Sequence, residues 1–223
     1  MFGIHLPETL RLWHWITRLG EAQAVLPPAL LTALLRARRP DCRARALLWI
    51  VLLGTAVALT TASKVAFIGW GIGSADLDFT GISGHTMLAA AVYPVLLPAL
   101  AGGVSVRTRR YALAAGCVIA ILIGVSRYLL GAHSISEILA GWLAGGLVSS
   151  AVLTRRTTAP VRTGPAMPLA LALWLTLVAA ATPPINTHAI VTRLALTASQ
   201  RVHPYTRSAM LRNLRARSPR VGS

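Results

Sequence analysis

The sequence predicts an all-α, polytopic helical membrane protein of about six transmembrane helices. Three observations carry this. Of 223 residues, 55% are hydrophobic and 13% charged, roughly half the charged fraction of a soluble domain. Mean hydropathy is +0.63. Apolar runs of about 20 residues recur, each long enough to cross a bilayer.

Six such segments follow in order: 16–35, 46–70, 84–103, 111–130, 134–153 and 167–185. Glu21 and Pro27-Pro28 interrupt the first, which therefore kinks or lies partly in the interface. The second carries Lys64, the sole lysine of the chain, near its far end. The third opens behind Ser83, a residue suited to cap a helix. The fourth ends at Ser126-Arg127, and the fifth begins just after His133. The chain thus divides into an N-terminal helix and basic loop (1–45), a membrane core (46–153), a basic loop with a last span (154–185) and an arginine-rich tail (186–223). Trp13, Trp15 and Trp70 read as interfacial belt residues, with His5 and His14 beside the first two. Residues 1–15 lack the basic start and compact apolar stretch of a cleaved signal, so they are expected to be retained.

Twenty-two Lys+Arg against six Asp+Glu give a net charge of +16. The arginines cluster between apolar runs, which reads as topology signal and contact with anionic membrane lipids; no aromatic-rich basic module points to nucleic acid. The stretches 36–45, 107–110 and 155–162 are basic, whereas 71–83 has no Lys or Arg and carries Asp76 and Asp78. Positive-inside reasoning puts the three basic loops in the cytoplasm and the loops bearing Ser83-His85 and Arg127-His133 together on the opposite face. Six spans then leave the arginine-rich stretch 193–220 outside, against the rule, unless one segment does not span. Residues 187–200, with Ile190, Val191, Leu194 and Ala195 on one side, fit an amphipathic surface helix. Cys42 and Cys117 make no metal spacing and are not expected to pair.

Two motifs on that face carry chemistry. His133 and Glu137, four residues apart, share a helical face. The carboxylate can hold one ring nitrogen and leave the other free to attack. An interfacial histidine beside a solvated glutamate has the same spacing. Arg127, six residues before His133, is either a snorkelling side chain or a planar fork for two phosphate oxygens, with Ser126 able to add a hydroxyl. Ser83-Gly84-His85-Thr86 opens a helix whose free N–H groups attract phosphate; Gly84 lets that backbone approach closely and His85 can act as general acid. A capped helix with an incidental histidine is the plainer alternative. Lys64 snorkels or clamps phosphate. Asp76 and Asp78 are weak cation candidates; His188 and His203 receive no role.

These motifs resemble the type 2 phosphatidic acid phosphatase (PAP2) family, which shares its catalytic motifs with vanadium haloperoxidases. That pattern is Lys, six residues, Arg-Pro; then Pro-Ser-Gly-His; then Ser-Arg, five residues, His, three residues, Asp. Residues 64–137 match at Ser83-Gly84-His85 and at Ser126-Arg127 with His133. The resemblance implies a PAP2-like helical core in which His133 is the nucleophile and His85 the general acid. It also implies that Lys64, Arg127, Ser83 and the Gly84 amide hold phosphate, with no metal or other cofactor. Glu137 stands where the family has Asp, and Ile82 replaces the proline, which is expected to loosen the loop. Gly71 and Ile72 occupy the Arg-Pro positions, and no Lys or Arg lies between Lys64 and Arg107. An arginine of the tail, Arg193 or Arg201, is expected to reach the site instead.

The sequence therefore reads as a lipid phosphate phosphatase of a bacterial inner membrane, working through a phosphohistidine at the non-cytoplasmic face. A lipid phosphotransferase and a non-catalytic lipid-phosphate-binding relative are the alternatives. A transporter is disfavoured because the polar residues gather at one face rather than at the midplane. The lipid stays open among phosphatidate, phosphatidylglycerol phosphate, undecaprenyl diphosphate and lipid A fragments.

Overall fold

A computed structural model describes residues 8–101, 105–155, 166–181 and 186–217. His5, Arg156, Arg162 and Arg220 lie outside the described residues. Within them the elements are helices: α1 (Glu8–Arg18), α2 (Ala22–Ala37), α3 (Pro40–Trp70), α4 (Gly84–Leu100), α5 (Val106–Leu129), α6 (Ile135–Thr154), α7 (Ala166–Ala181), α8 (Thr187–Ser199) and α9 (Arg207–Arg217).

Helices α3, α5 and α6 are long and apolar enough to cross a membrane. With 31 residues, α3 is about 46 Å long, well beyond a hydrocarbon core of about 30 Å. Its outward face exposes Val51 and Leu59, as α5 exposes Val118 and Ile121 and α6 exposes Leu143 and Leu147. Apolar side chains facing outward are what a lipid solvent permits.

The centre of the bundle is α4. Fourteen of its 17 residues are buried, because α5 and α6 pack on one side and α2 and α3 on the other. Small residues permit the close approach. A Cβ on Gly116 of α5 would meet the Tyr93 carbonyl oxygen at 2.5 Å, and one on Gly141 of α6 the Ser83 carbonyl oxygen at 2.9 Å. Polar tips on the surrounding helices then find carbonyls: Trp49 Nε1 donates to Ala91 O at 3.1 Å, and Trp142 Nε1 to Ala120 O at 3.0 Å.

The first apolar segment breaks at Glu21, one of its two expected interruptions, and not at its prolines. Its chain turns at Leu19–Glu21, and Pro27 and Pro28 sit inside a continuous α2. Pro28 has no N–H to give to Ala24 O, four residues earlier. Trp174 of α7 supplies that bond instead, from Nε1 at 3.2 Å. The turn itself is held by Tyr93, whose hydroxyl donates to Leu19 O at 2.7 Å.

Arg36 Nη2 reaches Ala99 O at 2.7 Å, so the basic junction after α2 and the end of α4 share one end of the bundle. The motifs found in the sequence lie at the other end. The tail gathers there too: α8 packs along α3 through Ala195, while Ile190 and Leu194 remain exposed. The expected surface helix is present, but half of its apolar side is turned away from the protein. Cys42 is buried, Cys117 exposed, and both are free thiols.

Candidate active site

The spacing between Arg127 and His133 is set by a helix-ending turn. Gly131 has φ +63, the left-handed conformation that glycine adopts without strain. Its N–H donates to Tyr128 O at 2.9 Å, and Ala132 N–H to Arg127 O at 3.0 Å. That pair of bonds is a Schellman motif. His133 N–H also reaches Arg127 O, at 3.2 Å. The arginine and the histidine are therefore fixed to one turn.

Ser134 caps α6. Its hydroxyl accepts from Glu137 N–H at 3.4 Å, and the Glu137 carboxylate accepts from Ser134 N–H at 3.2 Å. This capping box also aims Glu137 back at His133: Nδ1 lies 2.6 Å from Glu137 Oε2. Nδ1 carries the proton in that contact, leaving Nε2 as the basic nitrogen. Glu137 is fully buried, and its second oxygen accepts from Thr80 N–H at 2.8 Å, from the Thr80 hydroxyl and from Arg207 Nη2 at 2.6 Å. Burial pushes the His133 imidazole below its ordinary value; the Glu137 hydrogen bond opposes this, and nearby Lys64 adds to it.

The loop 71–83 folds over this pair. Ser74 and Phe79 exchange backbone bonds at 3.0 and 2.8 Å, and Ser136 Oγ donates to Leu77 O at 2.7 Å. Gly81 (φ +139) passes so near α3 that a Cβ there would lie 2.9 Å from Lys64 Cγ. Ile82 ties the loop to α3 at the point where loosening is expected. Its N–H donates to Ser63 Oγ at 3.1 Å, a bond proline cannot make.

A cavity of about 670 Å³ is lined by Lys64, His85, Arg127, His133 and Arg207. A second, of about 600 Å³, lies under α1 and shares His85 and Arg127 with the first, adding Trp15 and Gly84. Arg127 Nη1 donates to Thr17 Oγ1 at 3.1 Å, while its buried Nε has no partner among the described residues. A Cβ on Gly84 would lie 3.9 Å from Lys64 Nζ. Five expected site residues, Lys64, His85, Arg127, His133 and Glu137, thus come together, and Gly84 borders them.

Other expected residues are placed differently. Ser83 occupies the N-cap position of α4 without a side-chain cap bond, and its buried hydroxyl pairs with Thr86 Oγ1 at 2.9 Å. It is absent from the lining of both cavities. Ser126 Oγ is spent on Ile123 O at 2.6 Å, one turn back in its own helix. Arg193 and Arg201 are exposed, and Arg201 lies over the Tyr205 ring at 5.9 Å. The tail arginine that arrives is Arg207. Asp78 pairs with it, Oδ1 to Nε at 3.4 Å, and no three His, Cys, Asp or Glu gather as a metal donor set among the described residues. Thr80, Thr17 and Arg207 escaped the sequence reading because they lie 57, 110 and 70 residues from their partners. The charge deficit between Lys64 and Arg107 was the one signal pointing to the tail.

An all-helical membrane core with a carboxylate-held histidine on a basic cavity defines a class of integral membrane protein built to handle anionic groups. The family model of the PAP2 superfamily matches residues 61–160. A 22.5 kDa protein of the cps region of Klebsiella pneumoniae is 40% identical over 150 residues, 66% of this chain and 72% of that protein. Phosphatidylglycerophosphatase B of Bacillus subtilis strain 168 is 40% identical over 80 residues, 33% of this chain and 37% of that protein. The crystal structure of a transmembrane PAP2-type phosphatidylglycerolphosphate phosphatase from Bacillus subtilis superposes with a TM-score of 0.51. It is 26% identical and covers 67% of this chain and 77% of that one. The chain belongs to the PAP2 superfamily, a family of membrane phosphatases.

Proposed function

We propose that this protein hydrolyses a lipid phosphate monoester or diphosphate through a phosphohistidine on His133, without a metal. His133 Nε2 attacks the terminal phosphorus as its bond to the leaving oxygen breaks, that of the lipid alcohol in a monoester or of the lipid phosphate in a diphosphate, and His85 gives that oxygen its proton. Water then attacks the phosphohistidine, His85 takes the water proton, and inorganic phosphate leaves. Lys64, Arg127 and the Gly84 amide hold the phosphoryl oxygens while charge builds on them. The observation that carries this reading is the contact of His133 Nδ1 with the buried Glu137 carboxylate, on the wall of a cavity shared with His85, Lys64 and Arg127.

The basic loops at the opposite end of the bundle favour the non-cytoplasmic face for the reaction, and a bacterial inner membrane for the protein. The Bacillus relatives act on phosphatidylglycerophosphate by name, which makes that lipid the first substrate to try. Phosphate release from phosphatidylglycerophosphate, phosphatidate and undecaprenyl diphosphate by purified protein is the test, with His133→Ala as blank. Turnover by that variant equal to wild type on every lipid the parent hydrolyses would end the proposal.

A further inference from the structure

We propose that Arg207, brought in by the C-terminal helices, is a phosphate-binding residue of this centre; the inference rests on the phosphatase reading above. The tail that delivers it is anchored. Helix α8 lies so close to α3 that a Cβ on Gly69 would meet Ala195 O at 3.2 Å and Ser199 Cβ at 3.1 Å. The chain then crosses the end of α3, where Tyr205 N–H donates to Ile68 O at 2.8 Å. The Tyr205 ring meets Phe67 edge-on at 5.6 Å and 84°. Buried Met210 closes a small second core with Phe67, Ile68 and Ala195.

Tyr205 sits where a side chain at position 71 would project. Gly71 has φ +72, and a Cβ on it would be 3.1 Å from the ring. Position 71 therefore supplies no charge to the cavity. Two residues beyond Tyr205, Arg207 lines the cavity beside Lys64, His85, Arg127 and His133.

Two carboxylates orient the guanidinium. Nη2 is 2.6 Å from Glu137 Oε1 and 3.4 Å from Thr80 Oγ1, and Nε is 3.4 Å from Asp78 Oδ1. Nη1 has no partner among the described residues, which leaves one donor edge of a fixed fork for an anion. The side chain is 31% exposed, as a group on a cavity wall must be. Charge gives the same answer. Glu137 orients His133 only by bringing a carboxylate toward the phosphoryl group, and like charges so near repel. Arg207 neutralises that carboxylate from the side away from His133 Nδ1 and presents positive charge to the anion.

The test uses full-length purified protein with Arg207→Ala and Arg207→Lys. Calorimetric binding of orthovanadate, a phosphate mimic, needs no turnover, so it decides on Arg207 even if no tested lipid is hydrolysed. Arg207→Ala is expected to weaken vanadate binding and competition by inorganic phosphate at least about tenfold, and to lower kcat/KM about a hundredfold. Lysine should fall between. Millimolar guanidinium ion should restore part of the turnover of Arg207→Ala and none of His133→Ala, a rescue that a merely structural loss would not show. If the alanine variant does not fold, Arg207→Gln keeps a donor to Glu137 without the charge and carries the same measurements. Vanadate affinity within threefold of wild type in a folded variant, or a loss that guanidinium leaves untouched, overturns the proposal.

Discussion

Replacing Glu137 by Gln tests the centre through its most constrained residue. Every group that meets this carboxylate is a donor: His133 Nδ1 at 2.6 Å, Ser134 N–H at 3.2 Å, Thr80 N–H at 2.8 Å, the Thr80 hydroxyl and Arg207 Nη2 at 2.6 Å. Glutamine has one accepting oxygen and one amino group. Its oxygen toward His133 sets the amino group against Thr80 and Arg207. Turned the other way, the amino group faces His133 and selects the wrong tautomer. Loss of the orienting carboxylate from a histidine pair costs up to about 10⁴ in turnover. For stability, removing one partner of a buried ion pair costs about 3–5 kcal/mol. Arg207 is 31% exposed, and solvent takes up part of its charge, so about 2 kcal/mol is expected. At roughly 2–4 °C per kcal/mol for a chain of this size, the melting midpoint in detergent should fall by about 4–8 °C. The assay is phosphate release from phosphatidylglycerophosphate in mixed micelles, with the melting curve showing that the variant is folded. Turnover within threefold of wild type in a folded Glu137→Gln protein would refute the reasoning.

Four further outcomes are expected. Because burial holds the His133 imidazole below 6.5, its ordinary value, the nucleophile stays neutral as pH falls through that value; kcat/KM should hold level there and drop only at lower pH. The same shift means the unfolded chain takes this proton first, so the residue's contribution to stability is present above pH 6.5 and is lost as pH falls below it, which acid melting curves of wild type and His133→Asn would separate. A Cβ on Gly20 would lie 2.7 Å from Ile123 Cγ2 and 3.1 Å from His85 Cβ. Gly20→Val should push His85 out of place and lower kcat about a hundredfold, and unchanged turnover would show the contact to be slack. Ile82→Pro removes the N–H bond to Ser63 Oγ; it should cost about 1 kcal/mol, read as a drop of about 2–4 °C in the melting midpoint rather than a gain in loop order.

Helices α3 to α6 are plain in the sequence because each is a long apolar run closed by a polar loop. The break in the first segment is half legible: Glu21 marks it, whereas Pro27 and Pro28 do not, because α2 accommodates them with the help of Trp174, a side chain 150 residues away from the carbonyl it bonds. Similar logic divides the site. His133 and Glu137 are legible since helical spacing alone makes them neighbours, and Arg127 is fixed by a local turn. Ser83 and Ser126 looked equally apt, but short hydroxyls beside a helix find local partners first, Thr86 and Ile123 here. Arg207 depended on a loop, two helices and an aromatic seat, none of which leaves a short-range pattern.

The order in which the chain is made gives the Arg207–Glu137 contact a further meaning. Lys64, His85, Arg127, His133 and Glu137 all leave the ribosome before the residue that neutralises the carboxylate, which follows 70 positions later. At about 5–20 residues per second, that is a delay of roughly 4–14 s. During this interval the Glu137 carboxylate lacks its ion pair with Arg207, which only docking of the last helix supplies. Completion of the centre therefore waits for the C-terminal helices, the last part of the site to be made.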